Sequence, residues 1–110
     1  MRPPEEVIKQ RRRQLIVHSC LYYYFDESVI PDSQFDGWCE ELVSLQEQNP
    51  GYTDKFDRYF EGFDGSTGMQ LAGFELVSQF FTIINRIMLK HNPKWVQDKV
   101  IISRVNNKKR

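Results

Sequence analysis

Residues 21–36 read LYYYFDESVIPDSQFD. Two kinds of side chain flank a turn in this stretch. Tyr22, Tyr23 and Tyr24 precede it, and Asp32, Phe35 and Asp36 follow it. Aromatic faces stack on flat, electron-poor rings, and best on cationic ones. Carboxylates accept hydrogen bonds from a sugar diol or an amide. Asp32 and Asp36 stand four apart, so one helical face carries both. The set suits a ligand that joins a cationic heterocycle to a sugar. A plainer alternative uses the same residues differently: Asp32 favours a helix N-terminus, and the rings fill the core under the turn. The residue types alone leave both open.

The elements that must position these residues are readable on either side. Pro3 and Pro4 followed by Glu5 and Glu6 predict a helix start, because proline suits the first helical position and carboxylates suit the positive end of the dipole. Nothing breaks that helix before about Phe25. DESVIP (26–31) is a connection, and Pro31 and Asp32 open a second helix. Phe35, Trp38, Cys39, Leu42 and Leu45 give it an amphipathic stripe, and NPG (49–51) ends it. Together these predict an antiparallel αα-hairpin with the tyrosines and carboxylates at its tip.

Downstream, 52–63 reads as a short helix with Thr53 as N-cap and Phe56, Tyr59, Phe60 and Phe63 as apolar anchors. DGSTG (64–68) is a turn, with a weaker reading as a phosphate cradle. A long helix over 69–91 is apolar on more than one side, which predicts the central helix of the core. A last helix is expected over 93–105, and 106–110 as a disordered basic tail. The expected fold is all-α, with four or five helices and the N-terminal hairpin packed on the long central helix. The expected organisation is a single helical domain over 1–110, with the hairpin at 16–50 and an unassigned helical part at 51–105.

Composition narrows the function. With 110 residues, 40% hydrophobic and 14% aromatic, the chain is globular and of one-domain size. Its net charge of zero conceals an asymmetry. Residues 1–13 carry a net +3, residues 104–110 a net +4, and the stretch between them −7. An acidic middle repels a phosphate backbone, so general nucleic-acid binding is disfavoured. No apolar run is long enough to span a membrane, and MRPPEEVIKQRRR lacks the apolar core of a secretory signal; a cytoplasmic protein is expected. Cys20 and Cys39 are too few for a disulfide framework and read as buried thiols. His18, Cys20, Cys39 and His91 match no usual zinc spacing, so no metal is expected.

LYYYFDESVIPDSQFDGWCEELVSLQEQNP (21–50) resembles the N-terminal Ia domain of NAD-dependent DNA ligases. Tyr22 matches that family's first key tyrosine. IPDSQFD (30–36) matches its I-P-D-A-E-Y-D, and EELVSLQEQNP (40–50) its R-E-L-x-x-L-E-x-x-H-P. The resemblance implies a helical hairpin that docks over the nicotinamide mononucleotide half of NAD. It implies that Tyr22 stacks on the nicotinamide, and that Asp32 and Asp36 hold the ribose and carboxamide region. Two positions depart. Tyr23 stands where the family has His on the phosphate side, and Phe35 keeps the ring of the usual Tyr without its hydroxyl. The family's K-x-D-G lysine belongs to a separate adenylation domain. The nearest string, KFDR (55–58), has Arg58 in place of the glycine and is not that motif.

The whole chain is most similar to small ligase-related proteins carried by phages and prophages of Gram-positive bacteria. A one-hairpin site is shallow and covers one side of a ligand, and the adenylation domain that supplies the other side in the ligase has no counterpart in this sequence, so the expected function is that of a non-catalytic accessory protein that engages a protein partner through the hairpin, as an adaptor or inhibitor of a host factor. The alternative is a binding module for nicotinamide mononucleotide, NAD or a related nucleotide, with no cofactor required. A third reading is a trans-acting Ia component of a split ligase. Under all three, the residues expected at the ligand are Tyr22, Tyr23, Asp32, Phe35 and Asp36.

Overall fold

The computed structural model describes residues 2–94. The expected helix over 93–105 and the tail at 106–110 lie outside them, apart from a turn at 93–94. The described part is all-α, with four α-helices and short turns of other helix types. Helix α1 spans Pro4–Ser19 and begins where its prolines predict. The Pro3 carbonyl accepts from the Glu6 and Val7 amides, so the first turn closes without a side-chain cap.

The chain does not leave helical geometry at Ser19. Cys20–Tyr24 forms one π-helical turn, with the Phe25 amide donating to the Cys20 carbonyl at 3.1 Å. The wider turn separates the three tyrosines: Tyr24 is buried, Tyr23 half-buried and Tyr22 exposed. Asp26 then adopts φ 62°, and the Glu27 amide donates back to the Leu21 carbonyl at 2.8 Å. A left-handed residue followed by a long return bond stops the helix as in a Schellman motif, here one residue wider because the turn is π-helical. Aspartate tolerates this conformation better than most residues, though less well than glycine.

Helix α2 spans Asp32–Gln48 and starts after Pro31 in extended geometry. It packs along α1 through Cys39 and Leu42, which are fully buried. Arg11 pairs with Glu41, Arg12 reaches Gln46, and the His18 ring lies 5.5 Å from Trp38. Arg11 also sits over Trp38, at 5.4 Å from the ring centre.

Two sequence expectations need correction. The helix expected over 52–63 shrinks to a 3-10 turn at Asp57–Phe60. Thr53 is not its cap, because its hydroxyl donates to the Asp57 side chain. Asp54 folds the chain just before the turn, accepting from the Phe56 amide at 2.8 Å, and the turn itself has no side-chain cap. The anchors hold: Phe56, Phe60 and Phe63 are buried. The long helix over 69–91 is also broken, into a 3-10 turn at Met69–Leu71, helix α3 at Phe74–Gln79 and helix α4 at Phe81–His91. Gly73 is extended, and Phe80 at φ −102° and ψ 12° is both the C-cap of α3 and the N-cap of α4. That kink lets Phe80 bury its ring against Phe56, 5.5 Å away, while Ile84 and Met88 of α4 stay in the core. The apolar pattern of 69–91 is spread round the helix, and three short pieces bury it better than one rod.

Candidate functional site

The π turn, the connection 27–30 and the start of α2 surround a cleft of about 210 Å3. All five residues expected at the ligand line it: Tyr22, Tyr23, Asp32, Phe35 and Asp36. Each is placed by a different local cause. Tyr22 stands out from the π turn with 48% of its surface exposed. Tyr23 packs edge-on against Tyr22, ring centres 4.8 Å apart and planes at 87°. Asp32 is the first residue of α2, and Asp36 lies one turn on; both are exposed. Phe35 is half-buried and rests on the core. Tyr24 is excluded from the cleft because it packs inward against Phe25, at 4.9 Å.

The structure adds a wall that the sequence reading placed elsewhere. Ser66 and Thr67, from the loop at 64–68, close the cleft from the side. Two glycines let that loop come so near. Gly65 has φ +83° and lies against Cys39 and Val43 of α2. Gly68 is wedged more tightly: a Cβ there would sit 2.2 Å from the Ser19 hydroxyl and 2.9 Å from the Phe35 ring. Asp64 folds the loop on itself by accepting from the Ser66 amide at 2.9 Å and the Ser66 hydroxyl at 2.7 Å. Those two bonds hold the Asp64 carboxyl below the usual range. The Tyr23 and Thr67 hydroxyls meet at 3.1 Å and join the loop to the π turn.

His18, Glu27, Ser28, Val29 and Ile30 complete the lining. None of them was expected there from sequence. Burial lowers the His18 pKa below 6.5, so its ring is neutral at pH 7. Glu27 lies 3.7 Å from the His91 ring at the end of α4. Among the described residues, Asp32 and Asp36 enter no hydrogen bond or ion pair. The lining thus combines aromatic faces, hydroxyls and open carboxylates, with no lysine or arginine among the described residues.

Among the described residues no group of three His, Cys, Asp or Glu side chains could hold a metal ion. Cys20 and Cys39 are buried free thiols, as their number suggested. Burial pushes Cys20 up to about 12 and Cys39 up to about 11, so both stay protonated.

Residues 1–55 match the family described as DNA ligase-like, N-terminal NAD+-binding domain. The chain belongs to this family. The match covers α1, the π turn, the connection and α2, which supply three sides of the cleft. A DNA ligase of Endomicrobium trichonymphae is 29% identical over 99 residues, which is 88% of this chain. That stretch is 14% of the ligase, so the chain spans about one seventh of its relative's length. No solved structure matches the chain. Among the described residues no helix is long and apolar enough to cross a membrane. The remaining wall, Ser66 and Thr67, lies beyond the stretch that matches the family.

Proposed function

We propose that this protein binds the nicotinamide nucleoside portion of NAD, or of a related nucleotide, in the cleft at the π turn. The observation that carries the reading is the meeting of Tyr22, Tyr23, Asp32, Phe35 and Asp36 on one cleft inside an NAD+-binding family domain. Tyr22 and Phe35 supply ring faces for the cationic pyridine. Asp32 and Asp36 accept from the ribose hydroxyls and the carboxamide. Ser66 and Thr67 offer hydroxyls from the opposite side. In this reading residues 16–50 recognise the ligand, and the rest of the described chain supports them.

The size of the cleft agrees. Sites for whole drug-sized ligands run to roughly 300–1,000 Å3. A cleft of about 210 Å3 suits half a dinucleotide. The remaining half would extend outward. A second reading, in which a protein partner docks here, is favoured by the exposed rings of Tyr22 and Phe74 and the exposed Met69, at 48%, 54% and 65%. Such side chains anchor interfaces. A partner that covers the open side of the cleft would serve both readings, including a ligase core completed in trans.

Calorimetric titration with nicotinamide mononucleotide and with NAD tests the proposal. Binding that weakens about 10- to 100-fold in Asp36→Ala supports it, because a hydrogen bond to a charged group contributes about 1.5–3 kcal/mol. No heat at millimolar ligand, with the protein folded, rejects it.

A further inference from the structure

Thr67 lies outside the stretch that matches the family, yet it is tied through Tyr23 to the exposed ring of the cleft, Tyr22. We infer that Thr67 is a positioning residue for ligand binding: its hydroxyl holds Tyr23, and Tyr23 holds the Tyr22 ring in the orientation on which a flat heterocycle stacks. The inference rests on the reading above and adds to it a residue that acts on the ligand through two others.

The path from Thr67 to the ring is short. The Tyr23 and Thr67 hydroxyls meet at 3.1 Å. The Tyr23 ring packs edge-on with Tyr22, centres 4.8 Å apart and planes at 87°. Edge-to-face geometry at this distance is a preferred one for two rings. Either sense of it leaves at least one face of Tyr22 clear of Tyr23, and 48% of that residue is exposed. An exposed tyrosine without such a neighbour samples several rotamers, and stacking must then select one. Fixing a free side chain costs affinity, so a ring held in advance binds more tightly.

Thr67 is suited to be the fixed end. Threonine is branched at Cβ and stiff about χ1. Its oxygen accepts from the Met69 amide at 3.1 Å, which locks the rotamer and still leaves a lone pair and the proton for Tyr23. The loop around it is itself held. Asp64 accepts from the Ser66 amide and hydroxyl, so the Ser66 hydroxyl is turned away to Asp64 while that of Thr67 reaches the π turn. Gly65 lies against Cys39 and Val43, and Gly68 against Ser19 and Phe35. A bond that merely closed the loop could end on any surface group. This one ends on a cleft residue that itself touches the stacking ring. Tyr23 is also one of the two positions that depart from the family's pattern, and its hydroxyl meets a partner beyond the matched stretch.

The test titrates nicotinamide mononucleotide into the full chain by calorimetry, for the parent and for Thr67→Val, Tyr23→Phe, their double variant and Thr67→Ser. The first two remove the bond from opposite ends and nearly keep side-chain size. Each should weaken binding roughly 3- to 10-fold, the effect of one side chain that must be fixed on binding. The double variant should bind no more weakly than the weaker single variant, because the two share one bond. Thr67→Ser keeps a hydroxyl and should recover most of the affinity. Ring 1H–13C signals of Tyr22 in the free protein should move towards those of free tyrosine in Thr67→Val and Tyr23→Phe, and stay in place in Thr67→Ser. Amide spectra report whether each variant is folded; if Thr67→Val is not, Tyr23→Phe breaks the same bond and decides alone. Parent-like affinity in Tyr23→Phe or in folded Thr67→Val overturns the inference and leaves the proposed function standing. Losses that add, or Tyr22 signals that do not move, also overturn it, since either means that each hydroxyl meets the ligand on its own. No binding by the parent overturns both.

Discussion

Two charged clusters stand on the same pair of helices, and they are built in opposite ways. Around Arg12 every group is engaged. Its guanidinium is 7% exposed and donates to Gln46 at 2.8 Å, Asp54 at 2.7 Å and Asp57 at 2.6 Å. It also lies 5.0 Å from the ring centres of both Tyr52 and Phe60. Asp54 and Asp57 accept in turn from Tyr52, from Thr53 and from two backbone amides. Around the cleft, Asp32 and Asp36 are exposed and make no hydrogen bond or ion pair among the described residues. A buried guanidinium that lost its partners would be costly, so the first cluster is saturated. Carboxylates facing water cost little while waiting for a ligand, so the second can stay open. Saturation marks the group that holds α1, α2 and the 52–60 segment together. Openness marks the surface with capacity for something else.

The contrast breaks most easily at Arg12. Arg12→Met should cost about 3 kcal/mol, because Asp54 and Asp57 remain without their cation. Thermal unfolding should show it as a fall in Tm of roughly 12 °C or more. Arg12→Lys should not rescue the loss, since one ammonium cannot reproduce the planar fork and ring stacking. A Tm within 3 °C or so of the parent would show that this cluster is not structural.

Gly68→Ala couples the two regions. Its Cβ would collide with the Ser19 hydroxyl and the Phe35 ring. Overpacking of this kind costs about 1–3 kcal/mol, and displacement of Phe35 should weaken ligand binding as well. The Ser19 hydroxyl is buried without a hydrogen-bond partner among the described residues. Ser19→Ala should therefore be close to neutral alone, and should recover part of the Gly68→Ala loss in a double-mutant cycle.

Asp36→Ala sharpens the comparison from the other side. Denaturant unfolding should place its stability within about 0.5 kcal/mol of the parent, as for a surface position. Its effect should appear only in ligand affinity. A large loss of stability would mean that the cleft carboxylates are structural after all.

Acid gives a smaller, graded effect. The hydrogen bond from Thr53, and then that from Arg12, hold Asp57 down to about 2. Its carboxylate form is thus favoured by the fold, and the contribution is present above pH ~4, the ordinary aspartate value. It should be lost as the pH falls from there towards 2. His18 acts in the same direction at higher pH. It is buried neutral, so protonating it costs stability as the pH falls below 6.5. Unfolding curves between about pH 7 and 2 should record both declines, and Asp57→Asn should remove the lower one.

Much of this was legible in the sequence, for local reasons. Helix starts at Pro4 and Asp32 follow from proline geometry and dipole charge. The turn between them brings Tyr22 and Asp36 together because few residues separate the helix ends. The unread features depend on distant packing. Ser66 and Thr67 reach the cleft only because Gly65 and Gly68 fit against Cys39, Ser19 and Phe35. The DGSTG string carried a signal, two glycines around two hydroxyls, but not the wall it would form. The π turn has no sequence signature, and it alone separates exposed Tyr22 from buried Tyr24. The long helix over 69–91 failed because apolar residues all round a helix do not say where it will bend. Arg12 sits in the basic stretch at 1–13, where nothing local names its partners, because Gln46, Asp54 and Asp57 lie 34, 42 and 45 residues away.

The distinction between the saturated and the open cluster can be read in one experiment. Amide 1H–15N spectra would be recorded while nicotinamide riboside and nicotinamide mononucleotide are added. The account predicts shifts that cluster at residues 18–36 and 64–68 and leave Tyr52–Phe60 unmoved. Shifts centred on the Arg12 cluster, or none at millimolar ligand, would contradict it.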